Sequence, residues 1–571
     1  MRGRTSGVVV VASLVVATGW LGSCGPNPFT RHEDDYARRV ALERLRSIRE
    51  TPLEGQRAPA RDAADEQGRA AEIRERFAGR EQMELGIEEC RASTIEHNLD
   101  LKVALIDPTI ARERVSEEDA RFESAFTLRT TWNELDSPTA STLASAQSRT
   151  RTFVPGVRIP TRTGGTVSVD LPVTRNENDN AFSTLNPAYT SDLQFSVSHP
   201  LLRNAGRRAN TAQLRILGYE TQVSEARTKL EVIRQLAASD RAYWRLYQAR
   251  RELEVSQQQF ELAQEQLGRA ERRVRAGALA DIEVVRAQAG VADRLEAIIV
   301  AQNTVLLRQR ELKRIINRPG LELESPTLVV PATPPDPVEY LLDRPVLVGA
   351  ALDNRMEMLE LELQLAADAV RIDFARNQAL PLVTLDYTYR INGLGGSTQD
   401  TFRTLGDNDF EDWEIGLAAE IPLGNEGAKS RIRQAILSRL SRLGTREARE
   451  RAIREEVLNA ADSIDAGWQR ILASRQSVIL NTRALQSEQR QFDVGSSTST
   501  DVLDAAARLA DAQLSEVRAL ADYQIAQIDL AFASGTMLGA SKVTWEFAPP
   551  PEVSRWGTEA EHAPPPQDGE E

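Results

Sequence analysis

The chain has little cysteine or histidine, and each shortage removes a class of explanation. Cys24 and Cys90 are its two cysteines in 571 residues, too few for a disulfide framework. Its four histidines, His32, His97, His199 and His562, are scattered, and no spacing of His, Cys and acids suits a metal site. A phosphate-cradling glycine loop and a nucleophile elbow are both missing, so neither an enzyme nor a cofactor is expected. A formal charge of −14 makes nucleic acid a poor partner. Beyond the N-terminal segment no apolar run approaches the ~20 residues a membrane-spanning helix needs. Any crossing of a bilayer must therefore be made of strands.

The ends of the chain set its compartment. Arg2 and Arg4 precede an apolar stretch from Val8 to Trp20, the layout of a secretory signal and too short to span a bilayer. Leu21-Gly22-Ser23-Cys24 resembles the bacterial lipobox, so residues 1–23 are expected to be removed and Cys24 lipidated. An ordinary signal peptide with a chance cysteine is the alternative. Gly25 stands where the inner-membrane retention signal has an aspartate, which points to the outer membrane, and more than one acyl chain would hold firmly there. Cys90 lies among Ile87, Glu88, Ala92 and Ile95 at helical spacing and reads as a buried structural thiol. Residues 24–84 read as a charged tether broken at Pro52, Gly55 and Pro59, and residues 549–571 as a disordered tail rich in proline and acids.

What the chain does have, it has twice. Arg275-Ala276-Gly277, followed by Glu283-Val284-Val285-Arg286-Ala287, returns as Asp493-Val494-Gly495, followed by Asp501-Val502-Leu503-Asp504-Ala505. Leu246, Ala249, Leu253, Ser256, Phe260, Ala263, Leu267, Ala270 and Val274 lead into the first glycine at alternating spacings of three and four, the seam of a coiled coil. Ile298, Gln302, Val305, Gln309, Leu312 and Ile316 carry that rhythm away from it. Val457, Ala461, Ile464, Trp468, Ile471, Arg475, Val478, Thr482, Leu485, Gln489 and Phe492 repeat it before the second glycine. A helix from near Arg207 to Val274 would reach roughly 100 Å, the length of a rod. Gly277 and Gly495 are expected to reverse the chain in the left-handed conformation at each hairpin turn.

Where the helices stop, period-two alternation begins. Phe126, Leu128, Thr130 and Trp132 form one apolar row; Leu193, Phe195 and Val197 form another. Val383, Leu385, Tyr387, Tyr389 and Ile391 form a third, and Trp413, Ile415, Leu417, Ala419 and Ile421 a fourth. One apolar and one polar face is what a lipid-facing barrel strand requires. Four such strands cannot close a barrel, and an open edge in lipid leaves backbone groups unpaired, so copies must combine. An additional hairpin near 150–175 is expected as an extension on the outer face, with extra barrel strands as the second choice. The fold class is thus α+β: long coiled-coil hairpins plus four transmembrane strands per chain, in repeats 85–325 and 326–548.

Helix, strand, strand, helix, twice, with a glycine turn in each hairpin, resembles the TolC family of outer-membrane efflux proteins. Ile95-Glu96-His97-Asn98-Leu99-Asp100-Leu101 and Leu352-Asp353-Asn354-Arg355-Met356-Glu357-Met358 carry the resemblance at two helix starts. His199-Pro200-Leu201-Leu202 with Gly206, and Ile421-Pro422-Leu423 with Gly427, carry it where strand turns to helix. The resemblance implies a homotrimer whose barrel continues as a periplasmic tunnel. It implies docking on an adaptor protein and an inner-membrane pump, in efflux or type I secretion. It also implies a passive conduit gated at the helical tip, where Phe492, Asp501, Asp504 and Glu283 would narrow the tunnel and the carboxylates would favour cations. Phe492 stands where the family has tyrosine and Ser497 where it has arginine, so a gate held by packing and charge, easier to open, is expected. Capping of the returning helix is the other role for Asp501, and Asp281 and Glu283 are open to the same reading. A non-porous coiled-coil envelope lipoprotein is the alternative function.

Overall fold

The computed structural model describes residues 79–140, 144–277 and 280–545, with residues 72 and 75–77 ahead of them. The expected signal, Cys24, most of the tether and the expected tail lie outside the described residues. All the strands and long helices described here belong to one compact unit, Ile73–Phe547. No helix among the described residues is long and apolar enough to cross a membrane.

The first repeat opens with strand β1 (Gln82–Leu85), then helices α1 (Ile87–His97), α2 (Leu99–Ala104) and α3 (Asp107–Asp119). Five strands follow: β2 (Ala125–Asp136), β3 (Gln147–Pro160), β4 (Thr166–Asp170), β5 (Val173–Asn178) and β6 (Ala188–Pro200). Helix α4 (Ala212–Arg275) descends and α5 (Ile282–Ile316) returns. The second repeat has β7 (Leu328–Pro331), α6 (Arg344–Asn354), α7 (Met356–Gln378), β8 (Leu382–Gly395), a short α8 (Thr398–Asp407) and β9 (Glu411–Glu420). Helices α9 (Glu426–Asp493) and α10 (Ser499–Ala533) complete it.

The rods follow from the seam residues. Leu246, Ala249, Leu253, Phe260, Ala263 and Ala270 are buried on α4, and Ile298, Val305, Leu312 and Ile316 on α5. Val457, Ala461, Ile464, Ile471, Leu485 and Phe492 are buried on α9. With 64 residues in α4 and 68 in α9, each rod is about 100 Å long at ~1.5 Å per residue. Helices α5 and α10 have 35 residues each and cover only the lower half. Above them, α3 and α7 flank α4, and α7 also packs on α9, so four helices in the order α3, α4, α7, α9 lead to the strands.

Both expected helix starts are helix restarts. At Asn98 the chain turns between α1 and α2, and the side chain accepts from Leu101 N–H at 2.9 Å while its amide donates to the Ile315 carbonyl at 2.8 Å. Arg355, extended at φ −72° and ψ 129°, makes the matching break between α6 and α7. The tether expected to reach residue 84 ends earlier, because β1 pairs in parallel with β7. That pair ties the start of the first repeat to the start of the second. Cys90 is fully buried in the surrounding core, and burial pushes its thiol well up.

The sheet corrects two expectations. Its order is β2–β3–β4–β6–β8–β9, with β5 also lying between β3 and β6. The four alternating strands are all present, but β2 and β6 are not neighbours. The extra hairpin lies between them instead of standing clear on the outer face, and the sheet is wider than four strands. Strands β4 and β5 occupy one line, for each pairs with β3 on one side and β6 on the other. Alternation marks which face a residue takes; it does not say which strand stands beside it.

Candidate functional site

Two regions carry the chemistry: the hairpin tip and the face of the sheet. At the tip, Gly277 has φ +72° and Gly495 φ +82°, the left-handed turns expected of them. Space around both is open, so the requirement for glycine is conformational. The Gly495 N–H donates to the Phe492 carbonyl at 3.0 Å and the Ser496 N–H to that of Gln491 at 2.9 Å, closing the end of α9.

Phe492 is buried beneath a residue that sequence reasoning missed. The Arg273 guanidinium, from the last turn of α4, lies 4.5 Å from the Phe492 ring centroid. Its two terminal nitrogens donate to the carbonyls of Phe492 at 2.6 Å and Asp493 at 2.7 Å. A cation thus stacks on the aromatic and satisfies orphan carbonyls at the negative end of the α9 dipole. The guanidinium expected to be missing at Ser497 is supplied by the other hairpin. Within Arg272-Arg273-Val274-Arg275 nothing distinguishes Arg273 from its neighbours except its place on the helix.

The acids separate. Asp501 completes a capping box: its carboxylate accepts from the Thr498 N–H at 2.9 Å and hydroxyl at 2.6 Å, while the Asp501 N–H donates to the Thr498 hydroxyl at 3.3 Å. These bonds, the Thr498 hydroxyl foremost, hold the Asp501 carboxyl below its usual range. Asp504, a turn further along α10, is exposed, and its carboxylate has no hydrogen bond or ion pair among the described residues. Glu283 is buried and pairs with Arg286 at 2.7 Å, and its second carboxylate oxygen is buried without a partner.

On the sheet, the strand register puts one apolar row after another on a single face. Trp132 on β2 is 72% exposed and Trp413 on β9 67%, with Leu128, Ile415 and Leu417 similarly uncovered. Across β6 and β8, Phe195 stands opposite Tyr389 and Leu193 opposite Ile391. Across β8 and β9, Tyr387 faces Ile415 and Tyr389 faces Trp413. The reverse face carries Thr127, Arg129, Ser196, Asp386, Thr388, Arg390 and Glu414. A continuous uncovered apolar face is a surface for lipid, and its polar reverse a surface for water.

Residues 347–536 match the family model described as outer membrane efflux protein. Outer membrane protein TolC of Vibrio cholerae serotype O1 is 27% identical over 303 residues, covering 52% of this chain and 66% of the relative. TolC of Escherichia coli K12 is 24% identical over 306 residues, covering 52% and 60%. The match thus spans just under two thirds of these curated relatives. Among solved structures, the outer-membrane channel OprN superimposes with a TM-score of 0.61 at 17% identity, covering 79% of this chain and 90% of that one. The outer membrane protein VceC of Vibrio cholerae gives 0.57 at 16% identity, covering 79% and 96%. By sequence over residues 347–536 and by fold over 79% of its length, the chain is similar to the outer membrane efflux proteins.

Proposed function

We propose that three copies of this chain form a channel in the bacterial outer membrane, continued into the periplasm by a tunnel of the α4 and α9 rods. The carrying observation is the uncovered apolar face of the sheet set at the end of helices about 100 Å long. A coiled-coil spacer has no use for such a face, and a lone porin has no use for the rods. Cargo moves by diffusion; an adaptor and an inner-membrane pump, docked at the hairpin turns around Gly277 and Gly495, supply direction. Lipidation at Cys24 would add a second hold on the membrane.

The constriction is assigned to the tip. Asp504 is its best-supported acid, because its exposed carboxylate is engaged by nothing among the described residues and three copies would set three carboxylates around one axis. Asp501 serves the α10 cap first, and Glu283 acts within the first hairpin. Phe492 and Arg273 hold the two hairpins together behind that ring.

Conductance of the purified protein in a planar bilayer tests this. Wild type is expected to show a small cation-selective conductance, and Asp504→Ala a larger one with weaker block by multivalent cations. Folded, inserted protein that conducts in neither form would return the chain to the class of envelope spacers. Unchanged block in a conducting Asp504→Ala channel would remove the carboxylate ring alone.

A further inference from the structure

The hairpin between β2 and β6 is built as membrane wall. Its apolar residues fall on the same face as those of the other strands: Phe126 is opposite Val157, Val157 opposite Val169, and Val169 opposite Phe195. Phe153, Val157, Ile159 and Val169 are all exposed, like the lipid-facing residues to either side. On the reverse face, Thr127, Gly156 and Asp170 lie side by side, as do Arg158 and Ser168. The added strands therefore continue both faces up to the Phe153–Val173 row; beyond it, toward the outer end, Arg149, Arg151, Arg175 and Glu177 take the apolar side and form a charged rim level with Trp132.

The hairpin also spans the full height of the sheet. Ser137 and Ala146 close its outer end, where β2 turns into β3. Its inner turn, residues 161–165, is seated at the joint with the helices. The Gly206 N–H donates to the Thr163 carbonyl at 2.9 Å. Arg162 donates to Asp119 at 2.7 Å and lies over the Phe122 ring. Gly164, at φ +98°, lies so close to Asn204 and Asn210 that a Cβ would stand 2.2 Å from a backbone oxygen. The turn fills the gap between the end of α3 and the start of α4. At Leu171-Pro172 the line of β4 and β5 is broken but not displaced: the Leu171 N–H donates to the Pro155 carbonyl and the Asp192 N–H to that of Pro172.

We infer that each copy contributes six strands to the barrel, so that three copies, as in the proposed function on which this rests, close an eighteen-stranded wall. Strand direction permits it: β2 runs outward from α3 and β9 inward to α9, so the free edges of adjacent copies meet antiparallel. A hairpin adds two strands and preserves that parity, which a single extra strand would destroy. Width favours it as well. Four helices at ~8–10 Å spacing occupy about 32–40 Å of arc. Six strands ~4.8 Å apart and tilted ~40° occupy about 38 Å, whereas four would occupy about 25 Å. The six-strand wall matches the helices beneath it, and a barrel about 1.5-fold larger in circumference leaves size selection to the helical tip.

Paired cysteines in the full-length protein, embedded in membranes and oxidised, test the wall. Thr130→Cys with Phe153→Cys and Thr131→Cys with Thr152→Cys are adjacent register pairs, one of each kind in the antiparallel ladder. At least one is expected to form an intrachain disulfide, while Thr131→Cys with Thr190→Cys, Asp192→Cys or Gln194→Cys on β6 is not. Efficient β2–β6 linkage would show the hairpin looped out and overturn the six-strand wall while leaving the channel untouched. Native mass spectrometry of the same preparations is expected to give three copies. Any other count overturns the eighteen strands and the trimeric conduit together, whichever cysteines link.

Discussion

At the scale of single residues, the described structure places its charges where loss of one partner would be felt. Arg91 on α1 reaches Asp240 on α4 through paired donors, with Nη2 to Oδ2 at 2.7 Å, and the Asp240 side chain has no exposure. Burial raises the Asp240 carboxyl above its usual range and Arg91 opposes that rise. Arg91→Ala leaves a buried carboxylate without its cation, and about 3–5 kcal/mol of stability should be lost. Denaturant unfolding of the purified protein measures this; a loss below about 1 kcal/mol would mean that water reaches Asp240. Arg273 has a different task, joining the hairpins through carbonyls and an aromatic face. Arg273→Lys keeps the charge but cannot span both carbonyls while stacking on Phe492. Both Arg273→Lys and Arg273→Ala should therefore raise bilayer conductance above wild type, the alanine variant further. Equal conductance in all three would confine Arg273 to a structural role. Neither residue was legible in the sequence, because a partner more than a hundred positions away leaves no local mark.

At the scale of elements, legibility followed periodicity. The coiled-coil seams and the four alternating strands could be read because each repeats its signal over several turns or residue pairs. Strands β1 and β7, four residues each, offer too short a pattern, and their pairing is fixed by the core around Tyr243, whose hydroxyl accepts from the Thr333 N–H at 2.8 Å. The extra hairpin was visible as strand but not in its place, since neighbours in a sheet are set by register. The start of α10 shows a further limit. Asp501 was read both as a gate acid and as a cap, and the Ser497-Thr498 pair engages it in the cap. Because these bonds depress its pKa, their contribution is present above the usual carboxylate range and is lost as pH falls through the lower folded value. Amide protection factors in the first turn of α10 should accordingly drop on acidification below that range in wild type. In Asp501→Ala they should be low at neutral pH already. Protection that is insensitive to both acid and substitution would show the turn to be held by packing alone.

At the scale of the whole molecule, two properties of the sheet pull in one direction. Among the described residues its outer strands β2 and β9 each pair with one neighbour, and their residues are almost all exposed. In water such edges invite pairing with another chain; in hydrocarbon their unpaired N–H and C=O groups cost several kcal/mol each, so pairing is required. The helix backbones carry no such requirement, since their hydrogen bonds close within each helix, although Val300, Leu307, Leu437, Leu440 and Leu480 remain exposed on them. Assembly and folding can therefore be separated by substitutions at an edge. N–H groups alternate in direction along a strand, so either Leu128→Pro or Arg129→Pro removes a donor from the free edge of β2, and the ring bars close approach. One of the two should abolish the proposed trimer in native mass spectrometry while far-UV circular dichroism keeps its helical signal. The same test on β9, with Ile415→Pro and Gly416→Pro, should give the same division. If all four variants assembled like wild type, the copies would be joined by their helices, and the sheet edges would have to find their partners within one chain.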